Sequence, residues 1–170
     1  MRKVYLDANV IIEAFRIGVW AELSNGHHLE TVEMCVREAL TGKSDDGRVT
    51  IDPQVLNAGL KQVHVVSRKE RNALYDKYPS TGGLDAGEKD LLSHLFANKV
   101  APGAVAVLST ADKIAIVEAH KVGWLDALVS LEELLKSAGA TKQKLERVDW
   151  PYDQKFLEEI RFKVRMGIIP

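Results

Sequence analysis

Short apolar runs alternate with helical patterns along the chain, and acidic residues follow the runs closely. Lys3 to Leu6 reads as a buried strand before the helical stretch Val10-Ile11-Ile12-Glu13-Ala14-Phe15. Val63-His64-Val65-Val66 reads as a second strand, Ala104 to Leu108 as a third, and Leu125 to Val129 as a candidate fourth. Strands interleaved with helices imply an α/β fold, a parallel sheet covered on both faces. Ligands of such sheets bind beyond the C-terminal strand ends, so the chemistry is expected just after each strand.

Local signals place the helices. Thr31 to Leu40 reads as a helix stopped by Gly42, and Asp52-Pro53 as a helix start, since proline at the first helical position gives up an amide that has no partner. Ser67-Arg68-Lys69-Glu70 and Ser130-Leu131-Glu132-Glu133 carry the capping-box pattern, and Gly139 closes the helix that the second one opens. Asp85 to Ala97 is expected to be helical, and Ser109-Thr110 ends the third strand before another helix that runs to about Val122. Tyr152 to Met166 is a last amphipathic helix, with Phe156, Ile160 and Val164 on one face. Pro79-Ser80 and Gly82-Gly83 form an expected loop beside the site.

Composition narrows the class. A chain of 170 residues, 46% hydrophobic and 28% charged, is expected to fold as one globular domain with a real core. The single cysteine, Cys35, excludes an internal disulfide and a Cys-based zinc site, and its setting reads as small, buried and apolar. The opening Met1-Arg2-Lys3-Val4-Tyr5-Leu6-Asp7 lacks the apolar region of a signal peptide, and no stretch is long enough to span a membrane, so a cytoplasmic protein is expected. A net charge of -1 gives no support for broad, nonspecific nucleic-acid binding.

The acids carry the chemistry. Asp7 directly follows the first strand and Asp112 follows the third by a short turn; Glu88 and Asp90 lie in the first turns of the helix opened by Leu84-Asp85-Ala86-Gly87, and Glu38 lies near the end of the helix from Thr31. Carboxylates converging without basic partners repel unless hard divalent cations hold them, and magnesium takes oxygen ligands. Each acid has a plainer reading. Asp7, Asp112 and Glu88 suit helix caps or first turns, while Glu30 or Glu33 can replace Glu38. Glu88 and Asp90 point in different directions on a helix, so at most one of them is a primary ligand.

Taken in order, these segments resemble a PIN-domain nuclease over about residues 3 to 139. Val4-Tyr5-Leu6-Asp7-Ala8-Asn9 is similar to the family's first motif, and Cys35-Val36-Arg37-Glu38-Ala39-Leu40 to its second. Leu84-Asp85-Ala86-Gly87-Glu88-Lys89-Asp90 resembles the helix start bearing the third acid in one branch, and Val107-Leu108-Ser109-Thr110-Ala111-Asp112 the fourth motif. The resemblance implies a three-layer α/β/α sandwich and an endoribonuclease dependent on Mg2+ or Mn2+, with RNA as substrate. It implies Asp7, Glu38, Glu88 and Asp112 as catalytic, metal-binding acids, with Asn9 and Thr110 supporting them by hydrogen bonds. Many bacterial relatives are toxins held by an antitoxin protein, and often dimerise. This chain is longer, with added residues 42–49 and an extension, 140–170, whose helix is expected to pack on the 1–139 domain.

Two other classes compete. A non-catalytic PIN-like module would bind a protein partner, and near-neutral charge favours it; a phosphatase is disfavoured because Asn9 stands where an aspartyl-phosphate enzyme needs a second acid. His27-His28 reads as surface or strand edge, and Arg161 with Arg165 as a solvated face.

Overall fold

The computed structural model describes residues 2–41 and 49–169; Gly42 and nearly all of the added 42–49 stretch lie outside them. In chain order the elements are β1 (Lys3–Leu6), α1 (Ala8–Arg16), α2 (Trp20–Gly26), β2 (His28–Val32), α3 (Glu33–Thr41), α4 (Pro53–Gly59), β3 (Gln62–His64), α5 (Arg68–Lys77), α6 (Ala86–Ala97), β4 (Ala106–Ser109), α7 (Lys113–Lys121), α8 (Leu131–Ser137), α9 (Lys142–Leu145) and α10 (Gln154–Arg165). The strands form one all-parallel sheet in the order β3-β2-β1-β4.

Strand periodicity divides the interior in two. Tyr5, Ala106 and Leu108 point to one face and meet Leu91 and Leu95 of α6, Ile116 of α7 and Ile160 of α10. Val4, Leu6, Leu29 and Val107 point to the other and meet Ile11 of α1, Leu23 of α2, Leu56 of α4 and Leu134 of α8. An α/β protein with buried side chains on both faces of a parallel sheet is compatible with a three-layer sandwich.

Where local chemistry is strong, the elements start as expected. Asp52 caps α4 by accepting from the Gln54 amide at 2.8 Å, with Pro53 in the first turn. Both bonds of each capping box form, at Ser67/Glu70 and at Ser130/Glu133. Helix α10 is capped by Asp153, and Phe156, Ile160 and Val164 are buried in the same cluster as α6 and α7. Gly139 follows α8 with a φ of 78°, the left-handed geometry glycine takes without penalty.

Three expectations are corrected. Thr31 and Val32 close strand β2 instead of opening a helix, and α3 begins at Glu33. The strand carries polar side chains into the interior. Buried Glu30 accepts from His28 Nε2 at 2.9 Å and His64 Nε2 at 2.7 Å, with Lys3 Nζ at 3.3 Å, so neighbours on both sides satisfy it. The stretch from Leu125 forms a 3-10 turn, Leu125–Ala127, with one bridge from Leu128 to Leu108, and not a fourth strand. Arg161 is buried against this turn, a correction to the solvated-face reading. Its guanidinium donates to the carbonyl oxygens of Leu125 at 3.3 Å and Leu128 at 2.8 Å, partners that a neighbouring strand would otherwise supply. Arg165, by contrast, is exposed and pairs with Asp126.

Candidate active site

Strand β1 lies between β2 and β4, and the chain crosses from one side of it to the other between β3 and β4. The β1/β4 boundary is therefore the switch point at which open parallel sheets hold ligands. Asp7 leaves β1 there and Thr110 leaves β4. The Thr110 hydroxyl donates to Asp7 Oδ2 at 2.7 Å, and the Ala8 amide donates to Asp7 Oδ1 at 2.7 Å. Both bonds favour the ionised carboxylate. Burial opposes them and wins, helped by the charges of Glu38 and Asp112, so the Asp7 pKa is pushed up to about 6.

Glu88, on the first turn of α6, faces the same space. Burial first, then the charges of Asp7 and Asp112, raise its pKa to about 8. Its Oε2 accepts from the Asp85 amide at 3.3 Å, so it closes the helix start and faces the acids at once. Asp112 is half-buried and caps α7, its Oδ1 accepting from the Ala115 amide at 2.9 Å. Glu38 approaches from α3, accepting from the Gly87 amide at 2.9 Å, and burial with Asp85 and Asp90 nearby raises its pKa. A β-carbon at Gly87 would collide with Glu38 Oε2 and lie 3.1 Å from Cys35 Sγ, so glycine is what lets α3 come this close to α6.

Other acids are accounted for elsewhere. Asp90 forms a two-point ion pair with Arg71, at 2.6 Å and 2.8 Å. Glu33 pairs with Arg37 at the surface, and Glu30 serves the histidines of the sheet. Of the alternatives left open by spacing, Glu88 and Glu38 are the ones that face the cleft. Thr110 makes its supporting bond; Asn9 does not, and its Oδ1 is buried without a partner among the described residues. Cys35 is buried, its Sγ 3.9 Å from Asp7 Oδ1, and burial pushes its thiol well up, which keeps it neutral.

A cleft of about 350 Å³ opens here, lined by Asp7, Asn9, Ile12, Glu38, Asp85 and Glu88 among others. Asp85 is an acid that spacing assigned only to the helix start; its place just before Gly87 was the available signal. The lining acids have no lysine or arginine among them, a donor set that suits a hard divalent cation. Among the described residues no three His, Cys, Asp or Glu side chains stand close enough to hold an ion as they are.

No family model, no curated protein and no solved structure matches this chain.

Proposed function

We propose that this is a PIN-like, metal-dependent endoribonuclease that hydrolyses RNA phosphodiester bonds in the acidic cleft. The observation that carries it is the placement of Asp7 and Glu88 on one cleft at the β1/β4 switch point, with Asp112 near enough for its charge to raise the pKa of both. The order of the four acid-bearing segments along the chain supports the same reading.

In this proposal Asp7 and Asp112 are the central ligands of Mg2+ or Mn2+, with Glu38 and Glu88 completing the acidic wall. Bound there, such a cation supplies charge to the attacking and leaving oxygens of an in-line displacement. Thr110 holds Asp7 in one orientation, and Gly87 holds Glu38 at the cleft through its amide. Glu88 faces the cleft beside Asp7, its carboxylate held at the helix start by the Asp85 amide at 3.3 Å. The resemblance extends the proposal to a toxin with an antitoxin partner and to a homodimer; an antitoxin-like reading frame next to the gene would support the first.

The test is manganese binding by calorimetry and Mn2+-stimulated cleavage of single-stranded RNA, with Asp7→Asn beside the wild type. Binding and cleavage that are both lost in the variant support the proposal. Cleavage retained at full rate by Asp7→Asn overturns the assignment of Asp7.

A second reading, the non-catalytic PIN-like binding module, is favoured by one observation. Every one of the four acids already has a structural partner: Asp7 with Ala8 and Thr110, Glu38 with Gly87, Glu88 with Asp85, and Asp112 with Ala115. A folded wild type that neither binds manganese nor cuts RNA would select it.

A further inference from the structure

A second cavity lies at the opposite end of α6 from Glu88, between the length of α5 and the end of α6. It measures about 440 Å³ and is lined by Lys69, Glu70, Ala73, Lys77, Phe96, Ala97 and Lys99. All three lysines are exposed, and none forms a salt bridge among the described residues. The one acid is engaged already: Glu70 accepts from the Ser67 amide at 2.6 Å and from Asn98 Nδ2 at 2.8 Å. The floor is apolar and partly aromatic. Lys77 Nζ stands 5.6 Å from the centre of the Phe96 ring and 5.7 Å from that of Tyr78, which meets Phe96 edge to face.

Ordinary helix electrostatics accounts for part of this charge and not for all of it. Lys77 and Lys99 sit at the C-terminal ends of helices, where cations are favoured. Lys69 sits in the first turn of α5, where the helix dipole opposes it. Lys99 has a φ of 51°, the only positive value at a non-glycine position among the described residues. Glycine or asparagine is the ordinary occupant of that position past a helix end. Lys99 thus stands on the rim of the cavity in a conformation that lysine adopts less readily than glycine.

We propose that the Lys69–Lys77–Lys99 pocket is a docking site for single-stranded RNA, taking backbone phosphates on the lysines and a base or ribose against Phe96. Cationic grooves with aromatic floors are the general form of single-strand binding sites, because every nucleotide offers a charge and a flat face. The proposal rests on the nuclease reading for its choice of RNA. It also meets the objection raised by a net charge of -1, since binding needs a local cationic footprint rather than a basic total. Glu88 and Phe96 are separated by roughly 12 Å of helix at 1.5 Å per residue, a span that a few nucleotides cover.

The experiment is fluorescence anisotropy of a labelled oligouridylate with the full chain in EDTA, titrated at several salt concentrations. The comparison is with the triple variant Lys69→Gln/Lys77→Gln/Lys99→Asn, asparagine being tolerated at positive φ, and with the triple arginine variant, which keeps the charge. Expected are binding by the wild type, affinity roughly tenfold lower in the neutral variant, a salt slope smaller by about 2 for three lost single-strand contacts, and retention in the arginine variant. No binding by the wild type, or equal affinity and slope in the neutral variant, overturns the proposal. Manganese-dependent cleavage by the wild type is scored separately. Lysine-dependent binding without cleavage sinks the nuclease and leaves the pocket; cleavage with lysine-independent binding does the reverse.

Discussion

Thr110 Oγ1 donates to Asp7 Oδ2 at 2.7 Å across 103 residues of sequence, tying the end of β4 to the end of β1 at the centre of the acidic cleft. This bond holds the most buried carboxylate of the cleft in one rotamer, while its second oxygen receives the Ala8 amide. Thr110→Val keeps the shape and removes the donor. The expected result is a loss of about 1.5–3 kcal/mol of stability at neutral pH, the range for a hydrogen bond to a charged group. The Asp7 titration, followed by carboxyl carbon NMR, moves above its value of about 6 because a bond favouring the anion is gone. A titration left where it was would mean that the hydroxyl does not act on Asp7.

The raised carboxyls set a direction for stability against pH. Asp7 and Glu88 have folded pKa values of about 6 and about 8, above the roughly 4 of free carboxyls, so the folded chain binds more protons between those limits. Their contribution is complete below about pH 4 and is lost as pH rises through about 6 and then about 8. Glu88→Gln removes one ionisation from that sum. Its melting temperature in EDTA should exceed that of the wild type by a margin that grows from about pH 5 to about pH 9. Measuring the difference between the two proteins cancels carboxyls shifted the other way, such as Glu30 and Glu132. A margin that does not change with pH would contradict the raised pKa that burial and the neighbouring acids give Glu88.

The same helix separates a structural acid from a cleft acid. Asp90→Asn weakens the two-point pair with Arg71, which is partly exposed and screened, so the cost is about 1 kcal/mol or less. Manganese affinity should stay within a factor of about 3, a change of only about 0.7 kcal/mol. Glu88→Gln should do the opposite, raising the melting temperature in EDTA and weakening manganese binding at least tenfold, or about 1.4 kcal/mol. Calorimetry on the two variants decides it, and a reversed pattern would exchange their roles.

Gly87→Ala sets helix propensity against packing. Alanine inside a helix is favoured over glycine by about 0.5–1 kcal/mol. Here the new β-carbon displaces the Glu38 carboxylate from the Gly87 amide and crowds Cys35 Sγ, and losing a charged hydrogen bond costs about 1.5–3 kcal/mol. The expected net is a destabilisation of about 1 kcal/mol or somewhat more, seen as a lower melting temperature. A rise in melting temperature would show that Glu38 finds an equivalent partner once displaced.

What the sequence by itself determined are the features whose partners lie within a few residues. The caps at Asp52, Ser67 and Ser130, the stop at Gly139 and the buried stripe of α10 each follow from short-range geometry, and each formed where it was read. The placement of Asp7 and Asp112 just beyond strands was legible for the same reason. Only the tertiary structure decided which long-range partner each buried polar group takes. Strand β2 was hidden because Glu30 and Thr31 are polar, and what lets them be buried is His64 in β3 and the Leu6 carbonyl in β1. Arg161 reads as a surface cation until the carbonyls of Leu125 and Leu128 are brought to it. Asp90 and Glu88 look alike in sequence, and only the arrival of Arg71 from α5 gives one of them to an ion pair and leaves the other to the cleft. A buried polar group must be satisfied by whatever the fold brings to it, and that partner lies at no fixed distance along the chain.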